Sequence, residues 1–167
     1  MMATPHMLAG AAIGKGLRRP WLAWPVAFGT HFLFDFTPHL DEHAMFGVEH
    51  GGPTPVEATI GILNFVLGLA LVGWLVWRQP DRGVILGGAI FAILIDVIEK
   101  VPPLGRWFMT WPGTAWITEF HHAFQHNVTP SQWAVGIGTQ VAVVVLSLAV
   151  LLRRRPAQAN ALARGGS

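Results

Sequence analysis

The chain has 167 residues, of which 52% are hydrophobic and 12% are charged, and its formal net charge is +2. Soluble domains carry about 25% charged residues, so this composition argues against a soluble protein and indicates an integral membrane protein. The chain lacks cysteine, so a bound metal would need nitrogen and oxygen ligands, and its basic residues form no continuous face suited to nucleic acid.

The hydrophobic runs predict an all-α membrane protein with one domain over residues 1–152. A short apolar half-helix comes first, at 5–15, where Thr4 can cap the start and Pro5 suits the first turn. Four runs then reach the roughly 20 residues that a spanning helix needs. These predicted spans are 20–38, 56–78, 83–101 and 132–152. The basic segment 153–167 is predicted to be a disordered tail.

Basic residues indicate how the predicted helices lie in the membrane. Three clusters follow the short helix, the second span and the fourth span, and they share one side if the spans alternate. They are Lys15 with Arg18 and Arg19, Arg78 with Arg82, and Arg153 to Arg155. The excess of Lys and Arg in cytoplasmic loops makes this side, and the C-terminus, cytoplasmic. The histidine-rich segments 39–50 and 118–130 are then predicted on the periplasmic or extracellular side.

A layer of polar residues is predicted in the outer half of the bundle. Helical rise of about 1.5 Å per residue places at least one polar side chain of every helix at a similar depth. The layer contains His6, His31, Asp35, Asn64, Asp96, Glu99 and Gln140. Ionisable groups inside a membrane usually face the bundle interior, so we expect the histidines and acids to converge. For Asn64 and Gln140 we expect interhelical hydrogen bonding.

The spacing of these residues predicts a metal site. His31 with Asp35, His39 with His43 and His122 with His126 are each four residues apart, which places both members on one helix face. Imidazole and carboxylate ligands suit zinc above all, with iron or manganese as alternatives. The predicted metal ligands are His6, His31, Asp35, His39, Asp41, His122 and His126. Asp96 and Glu119 are predicted to orient ligands or to act as the catalytic general base.

The same residues also have interpretations that involve no metal or catalysis. The buried His31–Asp35 pair can be a purely structural ion pair, and each outer histidine can be a solvated loop residue. His121 is predicted to point away from His122 and to lie outside the set of direct metal ligands. His50 is predicted to be a loop residue or to support a ligand.

Two stretches, "TPHMLAGAAIG" and "HFLFDFTPHLDEH", carry a family resemblance over roughly the first third of the chain. The sequence resembles the LexA-binding, inner-membrane-associated metal-dependent hydrolases, which are small multi-span bacterial proteins. Their Pro-Asp-x-Asp-His motif corresponds to residues 38–43, where Asp41 keeps its place, His39 replaces the first Asp and the histidine is displaced to His43. A later His-Arg-Gly-x-Thr-His motif is matched only in part, from His50. The resemblance implies a metal-dependent hydrolase of the bacterial inner membrane.

Three functions are compatible with the sequence. The first is a membrane-embedded metal-dependent hydrolase that cleaves a lipid-like ester or phosphoester at the outer leaflet. The second is a metal- or proton-handling membrane protein, or an accessory subunit of a larger membrane complex, which could form a homo-oligomer. The third is a di-iron lipid hydroxylase, although such enzymes keep their histidine boxes on the cytoplasmic side. In each case the predicted partner is membrane lipid, and nucleic acid is not expected.

Overall fold

The computed structural model describes residues 1–41, 44–45, 54–101 and 103–153. Every regular element within these ranges is helical, which confirms the all-α prediction. The elements are α1 (Ala3–Leu17), α2 (Pro20–Phe36), α3 (Pro55–Val76), α4 (Arg82–Phe91), α5 (Leu94–Lys100), α6 (Leu104–Thr110), α7 (Ala115–Phe124), a 3₁₀ turn (Pro130–Gln132) and α8 (Trp133–Leu152). His43, His50 and the predicted tail beyond Arg153 lie outside the described residues.

Two helices among the described residues are long and apolar enough to cross a membrane. They are α3, with 22 residues, and the continuous helical run Pro130–Leu152, with 23. The sequence predicts four such helices, so half of them are found by this criterion. Helix α2 has 17 residues and contains Pro25, while the predicted span at 83–101 is divided into α4 and α5.

The interruption between α4 and α5 has a local cause. The N–H of Ile93 bonds to the carbonyl of Ile90, 3.2 Å away, so the backbone tightens from the α-helical to the 3₁₀ pattern. The carbonyl of Ala92 accepts instead from a ring nitrogen of His31, at 2.7 Å. Irregular backbone at membrane depth is tolerated where protein groups satisfy it, and here the partner is a residue of the candidate site.

Helix α1 lies at the centre of the molecule and packs very closely against α4. A Cβ atom on Gly10 would lie 2.3 Å from the carbonyl oxygen of Gly88, and one on Gly14 would lie 2.7 Å from that of Val84. Only glycine permits this backbone approach, which is a common way to pack helices in membranes. The apolar core that surrounds this contact includes Met7, Leu8, Ala11, Val72, Ile85 and Ala89.

Polar contacts fix both ends of α1. At its C-terminal end, the Lys15 ammonium donates to the carbonyls of Leu151 and Arg153 at 2.5 and 2.9 Å, at the end of α8. A cation there also complements the negative end of the α8 dipole. At its N-terminal end, the Thr4 N–H and hydroxyl donate to Asn64 on α3, at 2.9 and 2.8 Å. The side-chain oxygen of Asn64 accepts the first of these two bonds, which agrees with the interhelical hydrogen bonding predicted for this residue.

The segment after α7 pairs with the segment after α2. The N–H of His39 donates to the carbonyl of His126 at 3.1 Å, and the N–H of Val128 donates to the carbonyl of His39 at 2.9 Å. The N–H of His126 donates to the carbonyl of Asp35 at 2.8 Å. These bonds hold the end of α7 beside the end of α2, and so place the histidines of α7 next to His31 and Asp35.

Candidate metal centre

Asp35, near the C-terminal end of α2, is surrounded by imidazoles. One carboxylate oxygen lies 3.1 Å from Nε2 of His31 and 3.3 Å from Nε2 of His121. The other oxygen lies 2.9 Å from Nε2 of His6 and 3.9 Å from Nε2 of His39. All five side chains are at most 1% exposed. Four Nε2 atoms from α1, α2, α7 and the segment after α2 thus face one buried carboxylate.

Three of these donor atoms have the spacing of metal ligands. The Nε2 atoms of His31 and His121 lie 3.1 Å apart, and the Asp35 oxygen lies 3.1 and 3.3 Å from them. Zinc bonds of about 2.0 Å in tetrahedral geometry put neighbouring ligand atoms about 3.3 Å apart. An Asp96 oxygen lies beside this triangle, 3.7 Å from Nε2 of His31 and 3.6 Å from Nε2 of His121. The three donor atoms therefore fit one face of a tetrahedral ligand shell, with a position left for water.

Hydrogen bonds to the backbone fix the orientation of two rings. Nδ1 of His31 lies 2.7 Å from the carbonyl of Ala92, and Nδ1 of His39 lies 2.8 Å from that of Thr37. A carbonyl only accepts, so each Nδ1 carries a hydrogen, and Nε2 of each ring faces Asp35. Metal-bound histidines are usually held by such a bond at the other nitrogen.

The other ring nitrogen of His39, Nε2, gives independent support for a bound ion. Nε2 of His39 is fully buried and has no hydrogen-bond partner in the described part of the chain, although it points toward Asp35. A buried polar atom without a partner costs roughly 1–3 kcal/mol, so it needs an explanation. A bound cation would explain it. Burial itself lowers the pKa of His39, which favours the neutral form that metals bind.

His121 links the buried centre to a second carboxylate, that of Glu99 on α5. Its Nδ1 lies 3.2 Å from an oxygen of Glu99, and Nε2 of His122 lies 3.1 Å from the same oxygen. Burial alone would lower the pKa of His121, but hydrogen bonds to Asp35 and Glu99 and the charge of Asp96 raise it to about 9. In the metal-free protein His121 is therefore an imidazolium that offsets the charge of these acids.

The N-terminal segment closes the other side of the cluster. The amino group of Met1 lies 2.5 Å from Asp35, and the N–H of Met2 donates to the side chain of Gln140 at 3.2 Å. The amide nitrogen of Gln140 in turn donates to the carbonyl of Leu40 at 2.7 Å. Gln140 thus connects α8 with both α1 and the segment after α2, which agrees with its predicted hydrogen-bonding role.

The structure brings together most of the predicted metal ligands. His6, His31, Asp35 and His39 lie in one buried cluster, and His6 stacks on His31 with ring centroids 4.2 Å apart. Asp96, predicted as a catalytic or orienting acid, lies at its edge, 3.7 Å from Nε2 of His31 and 3.6 Å from Nε2 of His121. The predicted ligand His122 lies further out and reaches Glu99 rather than Asp35.

Three predicted site residues lie outside this cluster. A carboxylate oxygen of Asp41 accepts from the N–H of Ala44 at 2.6 Å, so its visible role is to hold a turn. The side chains of Glu119 and His126 are exposed and do not belong to any ligand group formed by the described residues. The pairing of His122 with His126 assumed a helix that continues to 127, but α7 ends at Phe124.

His121 was expected to lie outside the direct ligands, and in the structure it lies among them with 1% exposure. Thr118 and His121 are the buried residues of α7, while Glu119 and His122 lie on its exposed side. Apolar content does not identify the buried face, because Phe120 and Phe124 of the same helix are 43% and 36% exposed. The residue pattern of α7 therefore does not select His121 over His122.

The geometry of the described residues is the only support for the metal centre. Comparisons of the chain with protein-family models, with curated proteins and with solved structures found no match. The arrangement itself can bind a divalent cation: among the described residues, His31, Asp35 and His121 form one group of converging ligand atoms, and His6, His31 and Asp96 form another. The described part of the chain is therefore all-helical, with two candidate membrane-spanning helices and buried His/Asp clusters that could hold a metal ion.

Proposed function

We propose that this chain is a membrane-embedded metal-dependent hydrolase that cleaves a lipid-like ester or phosphoester at the outer leaflet. The observation that carries the proposal is the triangle of donor atoms from His31, Asp35 and His121, with edges of 3.1 to 3.3 Å. Zinc suits these ligands best, and iron or manganese is also compatible with them. When bound, such an ion acts as a Lewis acid and lowers the pKa of a coordinated water.

The side chains around the ion would each have a separate task. His31 and His121 would hold it, with their rings oriented by Ala92 and Glu99. Asp96 is 18% exposed and is the more accessible of the two acids facing the donor triangle, so it is placed to accept a proton from a water. A general base must lie within hydrogen-bond reach of that proton, and the position of Asp96 beside the triangle is compatible with this requirement.

The membrane location is part of the proposal. We propose four crossings of a bacterial inner membrane, in which α2 forms the first and the α4–α5 pair forms the third. Helix α2 supports this because it exposes large apolar side chains, with Trp21 69%, Leu33 60% and Phe36 59% exposed. Such a surface is costly in water and suited to lipid. The cytoplasmic C-terminus and the periplasmic position of α7 follow from the predicted distribution of basic residues.

Metal content and hydrolysis together test the proposal. Protein purified in detergent is expected to contain about one tightly bound zinc, iron or manganese ion at the Asp35 centre, by elemental analysis. His31→Ala is expected to lose it and to lose hydrolysis of a phospholipid or a chromogenic phosphoester. A wild-type protein with metal but without hydrolysis would reject the enzyme, whereas a metal-free protein would reject the centre. An iron-loaded protein that oxidises lipid would instead support the hydroxylase.

One observation favours a second function, that of a metal- or proton-handling membrane protein. Contacts of 3.3 Å or less run from Asp35 through His121 and Glu99 to His122, whose side chain is 56% exposed. Rows of ionisable groups inside membrane proteins often conduct protons or ions. Proteoliposomes that acidify or take up zinc in a His121-dependent manner would support this function, acting alone, as a homo-oligomer or within a larger complex.

A further inference from the structure

A second set of ligands lies beside the Asp35 centre. It consists of Glu99, His121 and His122, whose donor atoms all lie within 4.8 Å of one another. The Glu99 oxygen lies 3.2 Å from Nδ1 of His121 and 3.1 Å from Nε2 of His122, which are again the separations of neighbouring ligands on one ion. The set is half-open, because the His122 side chain is exposed.

The two sets meet at a single ring. Nε2 of His121 faces Asp35, His31 and Asp96, while Nδ1 of the same ring faces Glu99. The two nitrogens of an imidazole point away from each other, so each can serve a different ion. The His121 ring is buried, and a carboxylate contacts each of its two nitrogens. Each nitrogen therefore already has a neighbouring ligand with which it could bind an ion.

A supporting role alone does not account for Glu99. A carboxylate that only orients a metal-bound histidine needs one contact, to the far nitrogen of that ring. Glu99 has a second imidazole, His122, which does not reach Asp35 and follows His121 directly in the sequence. Consecutive helical residues diverge by about 100°, so their rings converge on one oxygen only if both side chains bend toward it.

Charge favours the same conclusion. Asp35, Asp96 and Glu99 bring three carboxylates into one cluster, and the Glu99 side chain is 8% exposed. A buried carboxylate needs a cationic partner, and a second divalent ion would supply it.

We propose that Glu99, His121 and His122 form a second, outer metal site, so that the protein holds a two-metal centre bridged by the His121 imidazolate. Filling both positions removes both ring protons of His121, and water completes the open positions of the outer ion. The inference rests on the proposed metal centre at Asp35. Zinc is the ion expected, because the outer ligands are again imidazole and carboxylate.

Metal stoichiometry of the full chain tests the proposal. Protein is loaded with excess Zn²⁺, desalted and analysed for metal per chain. Wild type is expected to bind two ions, and Glu99→Gln and His122→Ala one each. His126→Ala is the matched control, because His126 is an exposed histidine just beyond the same helix, and it should retain two. His31→Ala should lose the ion at Asp35 and retain the outer one.

The possible failures are distinguishable. One ion in wild type that survives His122→Ala but not His31→Ala would overturn the outer site and leave the proposed function standing. Retention of both ions in His31→Ala would overturn the centre on which that function rests. Because His122 is exposed, His122→Ala should fold even if Glu99→Gln does not. As a second readout, Cu²⁺-loaded wild type should show less paramagnetic resonance intensity than two isolated ions, and full intensity would contradict the bridge.

Discussion

The two ends of α1 illustrate two ways to build a buried interface. The C-terminal half packs glycine against glycine, where Gly10 and Gly88 approach so closely that no side chain fits between them. The N-terminal half carries His6 into the buried cluster of imidazoles and acids around Asp35. Close packing stabilises the first half, whereas the second half contains charges that need compensation. The difference separates a close-packed part of α1 from a part that lies in the candidate metal centre.

The largest expected effect is on metal binding at the polar end. Asp35→Asn removes the carboxylate that faces His6, His31, His39 and His121, so we expect metal affinity to fall by more than about 100-fold, beyond the loss typical of a supporting residue. Titration with Zn²⁺ against a competing chelator measures it. Asp41→Asn, whose carboxylate holds a turn, is the matched control. Equal affinities in the two variants would remove Asp35 from the centre.

Substitutions at the glycine contact between α1 and α4 should change the free energy of unfolding. Gly10→Ala places a methyl group 2.3 Å from the Gly88 carbonyl and 2.5 Å from Cβ of Ala92, and overpacking of this kind costs typically 1–3 kcal/mol. Gly16 lies on the same helix with nothing within 4 Å of its Cβ position, so Gly16→Ala should stabilise by about 0.5–1 kcal/mol. Thermal unfolding in detergent compares the two. A Gly10→Ala variant as stable as Gly16→Ala would contradict the close contact.

A smaller effect of pH is expected on the affinity of the Asp35 centre for Zn²⁺. His121 must lose a proton to bind an ion through Nε2, and its pKa in the metal-free protein is about 9. Apparent Zn²⁺ affinity should therefore rise up to about tenfold between pH 7 and pH 8. A pH-independent affinity would show that His121 is already neutral or is not a ligand.

The metal-free protein should show the opposite trend in stability. The pKa of His121 is raised from 6.5 to about 9, so its protonated form contributes stability that is complete below pH 6.5 and is lost as pH rises through 9. Chelator-treated protein should therefore unfold more easily at pH 9.5 than at pH 6.5. His121→Gln should flatten this dependence, while His126→Gln should leave it unchanged.

Much of the helical scaffold could be predicted from the sequence because apolar runs determine it. Depth along each helix also predicted the convergence of His31, Asp35 and Asp96, since ionisable groups avoid lipid. The interruption at Ala92 was not predictable from hydropathy, because residues on both sides are apolar and the break depends on a tertiary contact with His31. Glu99 lies on α5, which begins after this interruption.

Helix boundaries explain the error at α7. The i, i+4 rule paired His122 with His126 on the assumption of a helix to 127, but the helix ends three residues earlier, at Phe124. His126 then continues in an extended segment that pairs with His39 through its backbone. A rotation of one residue on α7 exchanges His122 for His121 at the buried face, and sequence periodicity over ten residues does not determine that rotation.

The central claim is that a metal ion is held by His31, Asp35 and His121. The most direct measurement is metal content in His121→Ala compared with His126→Ala, each purified with Zn²⁺ present and analysed per chain. The geometry predicts that His121→Ala loses the ion at Asp35 and that His126→Ala retains it. Retention in His121→Ala together with loss in His126→Ala would contradict the centre and restore the ligand pair that spacing alone suggested.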